Sequence, residues 1–174
     1  MNDVLKPLFT RQQIRKAVKR LGTAISRDYR GEEVICICIL KGSFMFTSDL
    51  VREIKLPTIV DFIRVSSYGH GTSSKGEITI TKDLEVDIAG KHVLIIEDIV
   101  DSGLTLKWLR DTLLDRNPKS LKIVCLLDKK ARRKIDIACD YIGLAIDDGF
   151  VVGYGIDYAE KYRNLPDILI VEKS

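Results

Sequence analysis

The sequence has 174 residues, of which 45% are apolar and 30% are charged. This length and composition predict one globular domain and exclude a largely disordered chain. The formal net charge of +3 gives no electrostatic case for a nucleic-acid or membrane partner, and no apolar run reaches the roughly 20 residues of a transmembrane helix.

Apolar periodicity predicts alternating helices and strands along the chain. Thr10 and Gln13 fit a capping box that opens a helix over residues 10–28, where apolar residues recur at helical spacing. Further helices are predicted over residues 44–54 and 104–114, and strands over residues 33–40, 58–66, 77–81, 92–96, 121–127, 141–146 and 168–171. Residues 67–76 contain three glycines and four serine or threonine residues without an apolar anchor, which is typical of a mobile loop.

Several of these strands are nearly continuous apolar runs rich in Ile, Val and Leu. Such runs between helices predict an α/β fold with a mostly parallel sheet covered on both faces. Ligands bind beyond the carboxyl ends of the strands in sheets of this kind. The loops at Lys41, Glu97 and Asp128 each follow a predicted strand, so we expect them to line one site.

The four cysteines, Cys36, Cys38, Cys125 and Cys139, predict neither a disulfide framework nor a zinc site. A core of this size needs no disulfides, and C-x-C is not a usual spacing of zinc ligands. The first 16 residues lack the apolar segment and the cleavage site of a secretion signal. We therefore expect reduced core thiols in a cytoplasmic protein.

The segment Val93–Leu106, VLIIEDIVDSGLTL, carries the strongest chemical signal. It leads from an apolar strand into the acidic pair Glu97 and Asp98, and then into a turn that opens a helix. In this turn, residues 101–105, small residues let backbone amides approach an anion, and the helix amino terminus adds its positive dipole end. Neither the Walker pattern nor the dinucleotide-binding glycine pattern is present, so the turn predicts a phosphate cradle of another kind.

Three carboxylates within five residues, Glu97, Asp98 and Asp101, repel one another unless a partner neutralises them. Two unit charges about 6 Å apart repel by roughly 3 kcal/mol at an effective dielectric constant of about 20. Sugar hydroxyls or a divalent cation would relieve this repulsion. Beside a phosphate cradle, the cluster predicts a pocket for a sugar phosphate. The alternative is a solvated loop in which Asp101 caps the helix.

The motif IIEDIVDSGLTL closely resembles the phosphoribosyl pyrophosphate motif of type I phosphoribosyltransferases. Over nearly its whole length the chain is similar to the hypoxanthine-guanine members of that family, through the ordered motifs LKGSFMF, VDFIRVSSYG, LLDKK and FVVGYGIDYAEKYRNLP. The resemblance implies the type I phosphoribosyltransferase fold, a twisted, mostly parallel sheet flanked by helices. It implies a single domain with a core of about residues 30–147 and a small hood from about residues 1–15 and 148–174.

The resemblance assigns the ribose hydroxyls to Glu97 and Asp98. It assigns the 5′-phosphate to the turn, namely Asp101, Ser102, Gly103, Leu104 and Thr105. The family often has a basic residue where this chain has Leu104, which can offer only its backbone amide. Asp101 is also implied as the general base that takes the purine N7 proton while N9 attacks C1′ of the ribose. An aspartate with a pKa of about 3.9 is a weak base, so this role requires desolvation and a hydrogen bond to the purine.

The resemblance also implies how the pyrophosphate leaving group is held. The residues assigned to it are Lys41, Gly42, Ser67, Tyr68 and Arg163. In the family the peptide bond before the lysine is cis, and the loop headed by Ser67 and Tyr68 closes over the site and excludes water. The alternatives are a plain turn that needs Gly42 and a surface arginine at position 163.

Mg²⁺ is the cofactor that the resemblance implies, with Glu97, Asp98 and Asp157 as its protein ligands. Few protein ligands are expected, because Mg²⁺ in such sites takes most of its oxygens from substrate phosphates and water. An aspartate that only caps a turn is the alternative for Asp157.

The resemblance implies a purine site formed by Lys129, Phe150, Val151 and Asp157. Lys129 would donate to the purine O6, and a 6-amino base would meet this donor with another donor, which disfavours it by roughly 10⁴-fold. Phe150 would stack on the purine, and Val151 would bond the base edge through its backbone. The alternatives are a solvated lysine within the basic run 129–134 and an aromatic core residue.

We interpret the sequence as that of a Mg²⁺-dependent purine salvage enzyme that joins hypoxanthine or guanine to phosphoribosyl pyrophosphate. We expect no nucleic-acid or membrane partner and, as is common in the family, a homodimer or homotetramer. One alternative is a regulator of the same fold that binds RNA or DNA; it would need a broad basic face rather than Lys129, Phe150 and Arg163 together. The other is a related enzyme that prefers xanthine or a pyrimidine.

Overall fold

The computed structural model describes residues 4–68, 77–131 and 133–172. Helices α1, α2 and α3 cover Arg11–Asp28, Phe44–Glu53 and Leu104–Leu114. The strands of this part of the chain are β1 (Val4–Phe9), β2 (Val34–Leu40), β3 (Thr58–Tyr68), β4 (Glu77–Lys82), β5 (His92–Val100), β6 (Ser120–Lys129), β7 (Tyr141–Ile146), β8 (Val151–Val152) and β9 (Ile168–Glu172). None of the described helices is long and apolar enough to cross a membrane.

Six of the strands form one sheet in the order β4-β3-β2-β5-β6-β7. The pairs β2–β3, β2–β5, β5–β6 and β6–β7 are parallel, and β3–β4 is antiparallel. The predicted mostly parallel sheet is therefore confirmed. Strands β2 and β5 lie at its centre, which brings their carboxyl ends side by side.

Two apolar layers cover the two faces of this sheet. Helices α1 and α2 pack on the face that carries Cys36 and Leu94. Helix α3 packs on the opposite face, which carries Ile37 and Ile95. Because neighbouring residues of a central strand face opposite layers, both must be apolar, and this explains the continuous runs seen in the sequence.

The capping box predicted for α1 is present. The Thr10 amide donates to Gln13 Oε1 at 2.9 Å, and the Gln13 amide donates to Thr10 Oγ1 at 3.4 Å. These two bonds satisfy amides at the helix start that have no partner within the helix. The predicted helix over residues 10–28 agrees with the observed one to within one residue.

A second sheet of three strands, in the order β1-β9-β8, joins the two ends of the chain. Its strand β9 was predicted, whereas β1 and β8 were not. Pro7 interrupts β1, which lies at the edge of the sheet, and β8 has only two residues. Neither strand has the length or alternation that a sequence pattern can reveal.

The loop predicted over residues 67–76 begins later than expected. Strand β3 continues through Tyr68, because Ser67 pairs with Ile78 and Tyr68 pairs with Glu77 in the antiparallel ladder with β4. The rest of the predicted loop, residues 69–76, lies outside the described residues.

Candidate active site

Strand β5 reaches farther than predicted and carries the acidic pair with it. The prediction ended the strand at residue 96, but its pairing with β6 continues until Val100 lies opposite Asp128. Glu97 and Asp98 are therefore strand residues, fixed by the sheet at its carboxyl edge. The turn that follows leads directly into α3, which begins at Leu104.

Gly103 makes the turn between β5 and α3 possible. Its φ angle is +80°, in the left-handed region that favours glycine. A side chain at this position would also overlap Ile137, because its Cβ would stand only 2.8 Å from Ile137 Cγ2. Ser102 Oγ accepts from the Leu104 amide at 3.4 Å, and the Leu104 side chain is exposed. Small residues thus bring the backbone close to the space in front of the α3 amino terminus.

Burial dominates the electrostatics of Glu97 and Asp98. Burial raises the pKa of Glu97 well above its ordinary value, and the neighbouring Asp98 charge raises it further. Burial also raises the pKa of Asp98, partly opposed by hydrogen bonds to its carboxylate and by the charge of Arg163. The Ile99 amide donates to Asp98 Oδ1 at 2.8 Å. The pair thus favours a ligand that brings positive charge or hydroxyl donors.

The loop after β2 lies directly against the acidic pair. The peptide bond between Leu40 and Lys41 is cis. Gly42 packs on the Asp98 carboxylate so closely that any side chain at position 42 would clash with Asp98 Oδ2. Lys41 Nζ forms an ion pair with Glu160 Oε2 at 2.8 Å, which connects this loop to the carboxyl-terminal segment.

The carboxyl-terminal segment supplies Arg163 to the same edge of the sheet. Arg163 Nη1 donates to the Gly155 carbonyl at 2.8 Å, and Nη2 lies 2.8 Å from Asp157 Oδ1 and 3.5 Å from Glu160 Oε1. Its side chain is 19% exposed. The guanidinium is therefore fixed in place and is balanced by carboxylates of its own segment.

Lys129, at the end of β6, is a buried cation. Its side chain is only 4% exposed, and Nζ donates to the Gly149 carbonyl at 2.9 Å. The same nitrogen lies 3.2 Å from Asp148 Oδ1 and 3.8 Å from Asp101 Oδ2. The alternative of a solvated lysine is wrong, because the side chain points into the protein between two loops.

The two carboxylate oxygens of Asp101 differ in their surroundings: Oδ2 faces Lys129, and Oδ1 accepts no hydrogen bond from the described residues. Oδ1 is buried and has no hydrogen-bond partner among the described residues. A buried carboxylate oxygen without a donor is costly, and such atoms in folded proteins call for an explanation. An incoming N–H group of a ligand would satisfy it.

Phe150 directly follows Gly149, whose carbonyl accepts from Lys129. Phe150 is 50% exposed and contacts Tyr158 edge to face, with ring centroids 5.3 Å apart. The alternative of a core aromatic at position 150 is therefore wrong. Val151, the next residue, is buried in strand β8.

Asp128, predicted only as part of a loop that lines the site, and Arg133, which no motif singles out, also lie here. They form a largely buried ion pair, and Arg133 donates to the carbonyls of Asp101 and Val100. A carboxylate directly after an apolar strand, as at Asp128, was the available signal. The sequence does not show that Arg133, rather than one of the three Lys and Arg residues before it in the basic run, is the partner of Asp128.

The predicted site residues thus converge for the most part on the carboxyl edge of the main sheet. Strand β5 carries Glu97 and Asp98 there, the following turn carries Asp101, and β6 carries Lys129. The loop with Lys41 and Gly42 reaches the same edge, as does the segment that holds Asp157 and Arg163. Ser67 and Tyr68 are seen only as backbone partners in the β3–β4 ladder.

Comparison with known proteins identifies the family. Residues 6–159 match the model of the phosphoribosyl transferase domain. A hypoxanthine-guanine phosphoribosyltransferase of Staphylococcus aureus (strain Mu50) is 51% identical over 167 residues, which cover 96% of this chain and 93% of the relative. The chain belongs to the hypoxanthine-guanine phosphoribosyltransferase family.

Other members of the family agree with this assignment. The hypoxanthine-guanine phosphoribosyltransferase of Bacillus subtilis is 47% identical over 171 residues, or 98% of this chain and 95% of the relative. A crystal structure of a Bacillus anthracis hypoxanthine-guanine phosphoribosyltransferase superposes with a TM-score of 0.91 at 47% identity, covering 99% of this chain and 100% of that one. The predicted type I phosphoribosyltransferase fold is confirmed.

Proposed function

We propose that this protein transfers the 5-phosphoribosyl group of phosphoribosyl pyrophosphate to N9 of hypoxanthine or guanine, giving the nucleoside monophosphate and pyrophosphate. The names of its relatives support this reaction. The observation that carries it is the position of Asp101. One of its oxygens faces the buried Lys129 ammonium at 3.8 Å, and the other is buried without a partner at the mouth of α3.

The turn of residues 101–105 would hold the 5′-phosphate. Backbone amides at the α3 amino terminus, the helix dipole and the hydroxyls of Ser102 and Thr105 are the donors available to it. Glu97 and Asp98 would accept hydrogen bonds from the ribose 2′ and 3′ hydroxyls. These bonds compensate two acidic groups whose pKa values burial has raised.

In the chemical step, the bond between C1′ and the pyrophosphate oxygen breaks while the bond from purine N9 to C1′ forms. The purine proton on N7 passes to the free oxygen of Asp101, and pyrophosphate leaves with the electrons of the broken bond. The reacting carbon has oxocarbenium character, as in glycoside chemistry. General-base assistance of this kind is worth about 10²–10⁴-fold in rate.

Lys129 would select a 6-oxopurine. A buried ammonium that already serves the Gly149 carbonyl and Asp148 can also donate to a carbonyl oxygen at purine C6. A 6-amino group offers no acceptor there, so adenine would leave the ammonium with a mismatched partner. The exposed ring of Phe150 is available for stacking, and Val151 and Asp157 complete the proposed purine site.

The pyrophosphate would lie between Lys41 with Gly42, Arg163, and the Ser67–Tyr68 end of β3. Lys41 is paired with Glu160, and Arg163 with Asp157 and Glu160. A pyrophosphate that enters this region would compete with those carboxylates for the two cations. Exposed ion pairs are weak, so the exchange costs little at Lys41.

The donor set fits a Mg²⁺ ion that relies on substrate oxygens. Glu97, Asp98 and Asp157 are the proposed ligands, and no group of three or more acidic, His or Cys side chains among the described residues forms a protein-only metal site. Mg²⁺ bound with the substrate would neutralise pyrophosphate charge, which is the chemistry it supplies in phosphoryl-containing sites.

Three further expectations belong to this proposal. The three-stranded sheet of the two chain ends would act as the hood over the site, so that the chain is one domain of core and hood. The enzyme would work in the cytoplasm, where its four free cysteines remain reduced. It would assemble as a homodimer or homotetramer, which light scattering coupled to size exclusion can check.

The test is to incubate the purified protein with phosphoribosyl pyrophosphate, Mg²⁺ and one of hypoxanthine, guanine, xanthine or adenine, and to measure nucleotide and pyrophosphate. We expect both products in equal amounts with hypoxanthine or guanine and neither with adenine. Product with xanthine alone, or with uracil alone in a parallel incubation, would replace the proposed specificity with the alternative one. Absence of product with every base would refute the proposed function.

A further inference from the structure

A short segment, residues 133–137, braces the turn of the candidate active site. The Lys134 amide donates to the Ser102 carbonyl at 3.0 Å. The buried Ile137 lies against Gly103, where it leaves no room for a side chain. We call residues 133–137 the brace segment. It holds the same turn that would bind the 5′-phosphate.

Arg133 makes the most extensive contacts of the brace segment. Its Nε donates to the Asp101 carbonyl at 3.2 Å and its Nη2 to the Val100 carbonyl at 3.4 Å, so that one guanidinium spans the end of β5 and the turn. Nη1 donates to the Ile137 carbonyl at 2.8 Å, which closes the brace segment on itself. The Arg133 side chain is 17% exposed.

Asp128 fixes the guanidinium from the other side. Its carboxylate forms an ion pair with Arg133 Nη2, and its side chain is 4% exposed. Asp128 lies opposite Val100 in the β5–β6 ladder and directly precedes Lys129. The ion pair therefore links the end of β5, directly before Asp101, to the end of β6, where the proposed purine-binding lysine lies.

We propose that Arg133 is a positioning residue for Asp101: held by Asp128, its guanidinium fixes the backbone of Val100 and Asp101 and thereby aims the Asp101 carboxylate at the purine. This inference rests on the proposed function. Arg133 makes no contact with the reacting atoms, since all four of its partners are protein oxygens. Only a planar fork with several donors can serve carbonyls and a carboxylate in three directions at once.

Arg133→Lys is the first test, because it keeps the positive charge and most of the stem but loses the fork. We expect kcat to fall by about 10²-fold, the loss that a displacement of about 1 Å in a catalytic group can cause. The KM values for hypoxanthine and phosphoribosyl pyrophosphate should change by less than threefold. The matched control is Arg116→Lys, since Arg116 forms an exposed ion pair with Asp83 at the far end of α3. It should leave both constants unchanged.

A second variant avoids an unpaired buried charge. In the double variant Arg133→Gln with Asp128→Asn, both charges are removed together, so neither is left buried alone. The fold should persist by circular dichroism, and kcat should fall as in Arg133→Lys.

A third test is chemical rescue. Guanidinium ions at millimolar concentration should restore part of the activity of Arg133→Gly and none of the activity of Asp101→Asn. A purely structural arginine would show loss of folded protein without this selective rescue.

The outcomes separate this inference from the proposed function. Wild-type kcat in folded Arg133→Lys, or an equal fall in Arg116→Lys, would overturn the role of Arg133 while the enzyme activity stands. If the wild type lacks activity with every 6-oxopurine, the proposed function fails. Amide hydrogen exchange then tests, without kinetics, whether Arg133 fixes the turn. Faster exchange of residues 101–105 in Arg133→Lys than in Arg116→Lys supports it, and equal exchange overturns it.

Discussion

Lys129 Nζ and Asp101 Oδ2 lie 3.8 Å apart although their residues belong to different strand ends of the main sheet. The buried Lys129 ammonium therefore faces the carboxylate that is proposed to accept the purine proton. Beside the Gly149 carbonyl and Asp148, the same ammonium has one N–H group left for a ligand. The two proposed roles, proton acceptor and O6 donor, thus depend on one another.

Lys129→Met tests the donor, because methionine keeps most of the stem but offers no N–H group. We expect kcat/KM for hypoxanthine and guanine to fall by about 10²-fold, the size of a lost hydrogen bond to a charged group. Lys130→Met changes the exposed neighbour and should behave as the wild type. Steady-state kinetics measure both, and unchanged kcat/KM in Lys129→Met would remove this residue from the purine site.

Asp101→Asn tests the base. Asparagine keeps the size of the side chain and cannot accept a proton, so we expect kcat to fall by at least about 10²-fold. The affinity for guanosine monophosphate, measured by calorimetry, and the melting temperature should remain close to those of the wild type. Asp111→Asn, on the exposed side of α3, is the matched control and should keep full activity. Near-wild-type turnover of Asp101→Asn would exclude Asp101 as the base.

The main sheet and the turn could be predicted from the sequence because both are local. Continuous apolar runs such as Val34–Leu40 need only their own residues to indicate a strand buried on both faces. The order of acidic, small and hydroxyl residues after residue 96 likewise indicates an anion-binding turn within one segment. The predicted end of β5 is too early, because the apolar run stops at the polar residues Glu97 and Asp98, whereas pairing with β6 continues the strand to Val100.

The parts that could not be predicted depend on contacts between distant segments. Strand β1 exists because β9 pairs with it, from the other end of the chain. Among the basic residues 129–134, the sequence gives no reason to single out Arg133, because its partner Asp128 and the carbonyl of Val100 meet it only after the sheet has formed. Buried charges of this kind become recognisable only through their partners.

Arg163→Lys tests the carboxyl-terminal cation. Arg163 bonds the Gly155 carbonyl and Asp157 at the same time, and lysine cannot reproduce this planar geometry. We expect the KM for phosphoribosyl pyrophosphate to rise by about tenfold, while the KM for hypoxanthine stays unchanged. Arg116→Lys again serves as the control. An equal rise of both KM values would point to a general distortion of the site rather than to pyrophosphate binding.

Tyr141→Phe tests a contact far from the site, in which Tyr141 donates to Asp28 Oδ2 at 2.9 Å. This hydrogen bond, together with one from Arg27, lowers the pKa of Asp28 from its ordinary value of 3.8. A lowered pKa in the folded state means that the contact stabilises the protein above pH 3.8 and that this stabilisation is lost as the pH falls below it. We expect Tyr141→Phe to reduce the free energy of unfolding at pH 7 by about 1 kcal/mol or less, because Asp28 is partly solvated. Urea unfolding at several pH values should show the two proteins converging in acid, and a difference independent of pH would mean that packing of the ring, rather than the charged hydrogen bond, causes the loss.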